Sequence, residues 1–216
     1  MDNQTEIRIV RSQRKTTTLQ IGPGGVVLVK APLRMPERRI REFIEENKDW
    51  IKKRLSPSLP QNQKKEGEYL YLGRTLTLAP GSYAAISVRG NKLLFPAGLM
   101  FQKDKEITHW YIKEAKKIIT EQVEKYAVEM GTSFKSITFS DTKSQWGRCT
   151  YDNRLQFNWR LVLAPQLVLN YVVVHELAHT LEKNHTQMFW MKVRRFNPSA
   201  RQQIKWLKQN GWTLRT

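Results

Sequence analysis

Hydrophobic residues along this chain change period several times, alternating strand-like with helix-like stretches. Up to residue 32 the apolar positions alternate or cluster at short range. Ile7 and Ile9 flank Arg8, residues 16–21 are rich in β-branched side chains, and residues 26–31 form a nearly unbroken apolar run. Such patterns predict strands, and Gly22, Pro23, Gly24 and Gly25 between the second and third predict a hairpin or small meander. Ile40, Phe43, Ile44, Trp50, Ile51 and Leu55 then recur at steps of three and four behind Pro36, which predicts one amphipathic helix over 36–55. Pro57, Pro60 and the polar run QNQKKEGE read as a linker. Period two returns over 69–78 and 84–88, and Gly90-Asn91 sits where a tight hairpin turn before LLF belongs.

From about residue 104 the period lengthens. Ile107, Trp110, Tyr111, Ala115, Ile118, Ile119, Val123, Tyr126, Ala127 and Met130 line one side of a long helix, with Gly131 as its C-terminal stop. Residues 134–140 and 155–159 read as strands joined by a loop around SQWGRCTYDN, and Pro165 opens another helix. Val172, Val173 and Val174 favour a strand when taken alone, but a fully buried helix tolerates them. A further helix runs through Phe189, Trp190 and Val193. The last begins at Pro198 after an Asn197 cap and stops at Gly211. The class expected is α+β, with a β-rich part containing one amphipathic helix over 1–96 and a second part over 97–216.

Composition narrows this picture. A lone cysteine, Cys149, excludes an internal disulfide framework and points to a reducing compartment, the cytoplasm by default. The first twenty residues lack the apolar core of a secretory signal, and no run approaches the roughly 18 apolar residues that span a bilayer, so no membrane association is expected. The net charge of +18 is unevenly spread: Lys192, Arg194, Arg195, Arg201, Lys205, Lys208 and Arg215 follow Thr186 with no acid among them. A cationic C-terminal region draws anionic partners, nucleic acid or nucleotides included.

The candidate chemistry lies in HELAHTLEKNH, residues 175–185, which hold three of the four histidines. At about 3.6 residues per turn, positions four apart share one face, so His175 and His179 can offer ring nitrogens to a single ion. Glu176 stands roughly 100° around the helix, within reach of a water on that ion without being a ligand. His185 completes three protein ligands, and the fourth position stays open, as in catalytic zinc sites. A structural zinc would close that position with cysteine, of which only Cys149 exists. Six residues from His179 to His185 exceed one helical face. Either the helix ends shortly after Leu181 and turns, with Asn184 suited to left-handed backbone and Glu182 not, or it continues and His185 belongs to the next helix.

In this arrangement the ion acidifies a water, Glu176 accepts its proton as the water attacks a carbonyl, and the proton passes to the leaving amine. Arg148, Tyr151 and Tyr171 are candidate donors to the oxyanion. His109, on the long helix, reads as surface, and Trp146, Trp159, Trp190, Trp206 and Trp212 read as core packing rather than base-stacking platforms.

With these residues in view, the chain resembles the YgjP-like metallopeptidase family, a bacterial and archaeal relative of the SprT-like and minigluzincin-type zinc peptidases. WGRC at 146–149, LQFNWRLVLAP at 155–165, YVVVHELAHTLEKNH at 171–185 and the Phe189-Trp190 pair carry the resemblance. RSQRKTTTLQI and the stretch from APLRMP to DWIKKRL extend it over nearly the whole chain. It implies a zincin-like core, Zn2+ held by His175, His179 and His185, Glu176 as the catalytic residue and a protein or peptide substrate. The family's WGSC motif follows a basic residue, whereas Gln145 and Arg148 stand in those places here. Two alternatives accompany this expectation: a metal-dependent hydrolase of an anionic non-peptide substrate such as a nucleoside triphosphate, and a basic nucleic-acid-binding module with a non-catalytic zinc.

Overall fold

A computed structural model describes residues 6–21, 26–55, 67–142 and 144–215. The Gly-Pro-Gly-Gly turn at 22–25 and the linker at 56–66 lie outside the described residues. The chain forms two compact units, residues 1–63 and 64–216.

In the first unit, β1 (Ile7–Ser12), β2 (Thr18–Ile21) and β3 (Val27–Pro32) form a sheet in the order β1-β3-β2. A meander would place β2 in the middle. Instead the most apolar strand, β3, is central, pairing parallel with β1 and antiparallel with β2. Its Val27, Val29 and Ala31 are buried with Ile40 and Ile51. The helix expected over 36–55 is two: α1 (Glu37–Glu46) and α2 (Lys48–Leu55). The break is at Asn47, whose side-chain amide donates to the Phe43 carbonyl at 2.8 Å. Asn competes for backbone partners in this way and so ends helices that hydrophobic period alone would continue.

The second unit opens with a four-stranded sheet in the order β4-β5-β7-β6, made of β4 (Glu68–Tyr71), β5 (Arg74–Gly81), β6 (Ser87–Arg89) and β7 (Lys92–Pro96). Residues 69–78, expected as one strand, fold back at Leu72-Gly73, where both residues have positive φ. The Gly90-Asn91 turn joins β6 to β7 as expected. Helix α3 (Lys103–Met130) buries Ile107, Trp110, Tyr111, Ala115, Ile119, Val123, Ala127 and Met130. It ends on left-handed Gly131, with Thr132 N–H donating to the Ala127 carbonyl at 3.0 Å, a closure that satisfies a terminal carbonyl.

Leu76, Leu93 and Phe95 of the sheet share one core with α3. The Tyr111 hydroxyl donates to the Leu70 carbonyl at 2.6 Å, and the Tyr71 hydroxyl donates to Glu114 at 2.6 Å. The expected boundary at 96/97 lies within residues 64–216, where the sheet packs its apolar face on α3.

A second sheet, β8-β10-β9, holds β8 (Ser136–Ser140) parallel and β9 (Gly147–Cys149) antiparallel to β10 (Arg154–Asn158). Strand β9 lies in the stretch expected to be a loop; three residues with a glycine first are too few to show alternation. A 3₁₀ segment, Trp159–Leu163, leads into α4 (Gln166–Leu181), followed by α5 (Gln187–Phe196) and α6 (Ala200–Asn210). Between Val168 and Thr180 no residue of α4 is exposed. That burial is why its valine run is helical. Asn197 ends α5 and Ser199 occupies the N-cap position of α6, so the cap expected at Asn197 is displaced by two residues. Gly211 is right-handed and continues into a 3₁₀ turn; its space is taken by Trp146.

Candidate metal centre

The start of α4 is set by a backbone contact. Leu72 and Gly73 donate to the carbonyls of Val162 and Leu163, at 2.7 and 3.2 Å. A Cβ on Gly73 would lie 2.8 Å from the Cα of Pro165, so only glycine lets the β4–β5 turn seat against the residue before the helix. From there α4 carries His175 and His179 on one face, with ring centroids 5.1 Å apart. The helix stops at Leu181 because Glu182 is extended, at φ −143 and ψ 108. The expected left-handed turn at Asn184 is absent: among the described non-glycine residues only Leu72 and Asn153 have positive φ. Extended Glu182 leads instead into a bend at Lys183-Asn184, and its carbonyl lies 3.2 Å from His179 Nδ1.

His185 follows, and Thr186 caps α5 by accepting from the Phe189 N–H at 3.3 Å. One ring nitrogen from each of His175, His179 and His185 falls within 4.8 Å of the other two, a grouping that could hold one metal ion. The His175 and His185 Nε2 atoms are 3.2 Å apart. Behind them the Tyr171 hydroxyl is 3.3 Å from His175 Nδ1. In the tautomers that place protons on Nδ1, His175 donates to Tyr171 and His179 to the Glu182 carbonyl, leaving both Nε2 lone pairs free.

Burial, reinforced by the other two imidazoles, pushes His175 down to about 3, and burial lowers His179 as well. Neutral imidazole is the form that binds metal, so both rings are held ready for it.

Glu176 is only 6% exposed. Burial lifts its carboxyl to about 8, against a hydrogen bond from the Cys149 backbone N–H that pulls the other way. Beside it Gly147 has no room for a side chain, since a Cβ there would stand 2.6 Å from Glu176 Cγ and Oε1. The ladder phase explains why these groups meet. Thr150 N–H bonds the Arg154 carbonyl and Asn158 N–H bonds the Trp146 carbonyl, so the amides of Gly147 and Cys149 turn away from β10 toward the unpaired edge, where Glu176 lies. Asn158, 1% exposed, steadies the approach to β9 by donating to the Thr142 carbonyl at 2.7 Å.

The three oxyanion candidates are dispersed. Tyr171 is buried behind His175, its hydroxyl pushed up to about 12 by burial, and Tyr151 is 89% exposed beside the Lys183 ammonium. Arg148 is exposed on β9, and strand alternation turns it from the face where Gly147 meets Glu176. His109 is exposed on α3, and Cys149 enters the site through its amide rather than its half-buried thiol. Sequence reasoning missed Gly147, the Cys149 amide, the Tyr171–His175 contact and the aromatic pair beside His185. A glycine inside a strand is the one advance sign of the first, since it marks a close approach.

Three clustered imidazoles beside a buried carboxyl define the kind of site that metal-dependent hydrolases use. The sequence matches the YgjP-like family, metallopeptidase domain, over residues 15–210, and the chain belongs to that family. No curated protein matches it. Two crystal structures of metallopeptidase zymogens are similar in part. Abylysin of Pyrococcus abyssi is 16% identical with a TM-score of 0.39, covering 42% of this chain and 92% of its own. Jannalysin of Methanocaldococcus jannaschii is 19% identical with a TM-score of 0.38, covering 43% and 95%. Among the described residues no helix is long and apolar enough to cross a membrane.

Proposed function

We propose that this metallopeptidase is zinc-dependent, with His175, His179 and His185 holding the ion and Glu176 moving the proton. One distance carries the reading. At Zn–N of about 2.0–2.1 Å, two ligands of a tetrahedral ion stand about 3.3 Å apart. The His175 and His185 nitrogens are separated by 3.2 Å.

When bound, the ion supplies Lewis acidity, which polarises the scissile carbonyl and acidifies the attacking water. Glu176 takes the proton of that water and returns it to the leaving amine. Its buried setting, which favours the protonated acid, suits the second half of that cycle, and the Cys149 amide suits the first by favouring the carboxylate. A protein or peptide substrate and a reducing, cytoplasmic setting belong to this reading.

The test is Glu176→Gln. The variant is expected to bind one equivalent of zinc and to cleave an unfolded protein at least about a hundredfold more slowly; undiminished cleavage would remove Glu176 from the mechanism. Metal-dependent phosphate release from a nucleoside triphosphate, with no proteolysis, would favour the anionic-substrate alternative.

A second reading has its own observation. Arg201, Lys205 and Lys208, at steps of four and three along α6, are exposed, and among the described residues none forms an ion pair. This face supports capture of an anionic partner such as nucleic acid. Such binding would weaken steeply with salt and survive Glu176→Gln.

A further inference from the structure

We propose that Trp190 is a positioning residue that holds the His185 imidazole in place for metal binding; the inference rests on the reading of His185 as a ligand. The three histidines are not held alike. His175 and His179 stand on a buried helix, and each Nδ1 has an oxygen partner at 3.3 or 3.2 Å. His185 is exposed and lies on the segment between α4 and α5. Among the described residues its one hydrogen-bonding contact is with the His175 Nε2, and its Nδ1 has none. The outer hydrogen bond that ordinarily orients a ligating imidazole is therefore missing from the ligand most in need of it.

Ring packing stands in its place. The indole of Trp190 stacks on His185, with centroids 5.7 Å apart and planes 28° from parallel. The same indole lies 5.9 Å from the His175 ring at a tilt of 60°, so it neighbours both imidazoles whose Nε2 atoms are closest while stacking on His185 alone. Phe189 meets His185 edge-on at 4.7 Å and 72°. The direction of the pair is set locally: Thr186, the residue after His185, caps α5, and Trp190 N–H donates to its carbonyl at 3.2 Å. Stacking fixes the plane of a ring without consuming its nitrogens. The cost of ordering an exposed imidazole is then met before the ion arrives. Phe189 is fully buried and touches all three histidines, so its loss would disturb the core. Trp190 is half-buried and stacks on His185 most nearly face to face, so its loss bears on His185 with less disturbance of the core than that of Phe189.

The experiment measures Zn2+ affinity of the full chain by competition with a chromophoric chelator, and the visible spectrum of the Co2+-loaded protein. Trp190→Leu is expected to weaken zinc binding about tenfold or more, the loss typical of an outer partner of a ligand, and to alter the Co2+ bands. Trp190→Phe, which keeps a ring, should stay within about threefold of wild type, since an aromatic stack survives. In a His185→Ala background, Trp190→Leu should cause no further loss. Trp190→Met gives the same reading should the leucine variant not fold. Unchanged affinity and spectrum in Trp190→Leu would overturn the inference, as would an equal loss in the His185→Ala background, which would mean general loosening. If His185→Ala itself binds zinc like wild type, the ligand reading fails first and the inference with it; if that variant is weakened and Trp190→Leu is not, the inference alone fails.

Discussion

The carboxyl of Glu176, the proposed proton carrier, depends on an absence of atoms. Gly147 leaves Glu176 the space a side chain would occupy, and the Cys149 amide then reaches the carboxylate. Gly147→Ala should push Glu176 off that amide, lowering kcat about a hundredfold or more at unchanged zinc content, because misplacing a catalytic group by about 1 Å costs that much. Full activity in the alanine variant would show that the carboxylate has another way to sit. Burial of Glu176 also has a thermodynamic consequence in the metal-free protein. Its folded pKa, about 8, lies above the unfolded value near 4.5, so the folded state retains the proton longer. The stability it contributes is complete below pH 4.5 and is lost as pH rises through 8, at about 1.4 kcal/mol per unit. Metal-free Glu176→Gln should therefore melt higher than metal-free wild type at pH 8, with the gap closing toward pH 4.5. A gap independent of pH would mean that the carboxyl ionises freely when folded. His175 acts with the opposite sign, since its folded value of about 3 lies below the ordinary 6.5 and stability falls as pH drops between them.

Elements are placed by turns more than by faces. The α3 face follows its hydrophobic period almost residue for residue, since a long helix on a core has one way to bury its stripe. The turns Leu72-Gly73 and Gly131 share positive φ but differ in surroundings. A Cβ on Gly131 meets nothing within 4 Å, while one on Gly73 meets Pro165 backbone at 2.8 Å. Gly131→Ala is thus expected to cost about 1 kcal/mol, the left-handed penalty alone. Gly73→Ala should cost about 3 kcal/mol, overpacking included, and should lower zinc affinity by shifting the start of α4. Urea denaturation of the two variants checks the order; equal losses would show that the β4–β5 turn does not position the helix.

Across the whole molecule, the core that carries the site draws on residues well before the metal motif. Leu76, Leu93 and Phe95 are completely buried with α3 and α4. A chain beginning at residue 64 is expected to fold cooperatively and bind zinc, and one beginning at 97 to lack a cooperative melt, since losing three such side chains costs about 7–15 kcal/mol, comparable with the roughly 5–15 kcal/mol that stabilises a domain, before the lost hydrogen bonds of the sheet are added. Cooperative unfolding of the shorter chain would restore a division at 96/97. The histidine spacing and the long α3 stripe were legible in the sequence, because each depends on a period within one element; the valine-rich helix was legible only through the histidine pair it carries. The sheet orders, strand β9, the break at Asn47, the extended exit at Glu182 and the partners of Glu176 and His185 were not. Those depend on which surface each segment meets, and hydrogen bonds, close approaches and ring stacking between residues distant in the chain exist only once it has closed on itself.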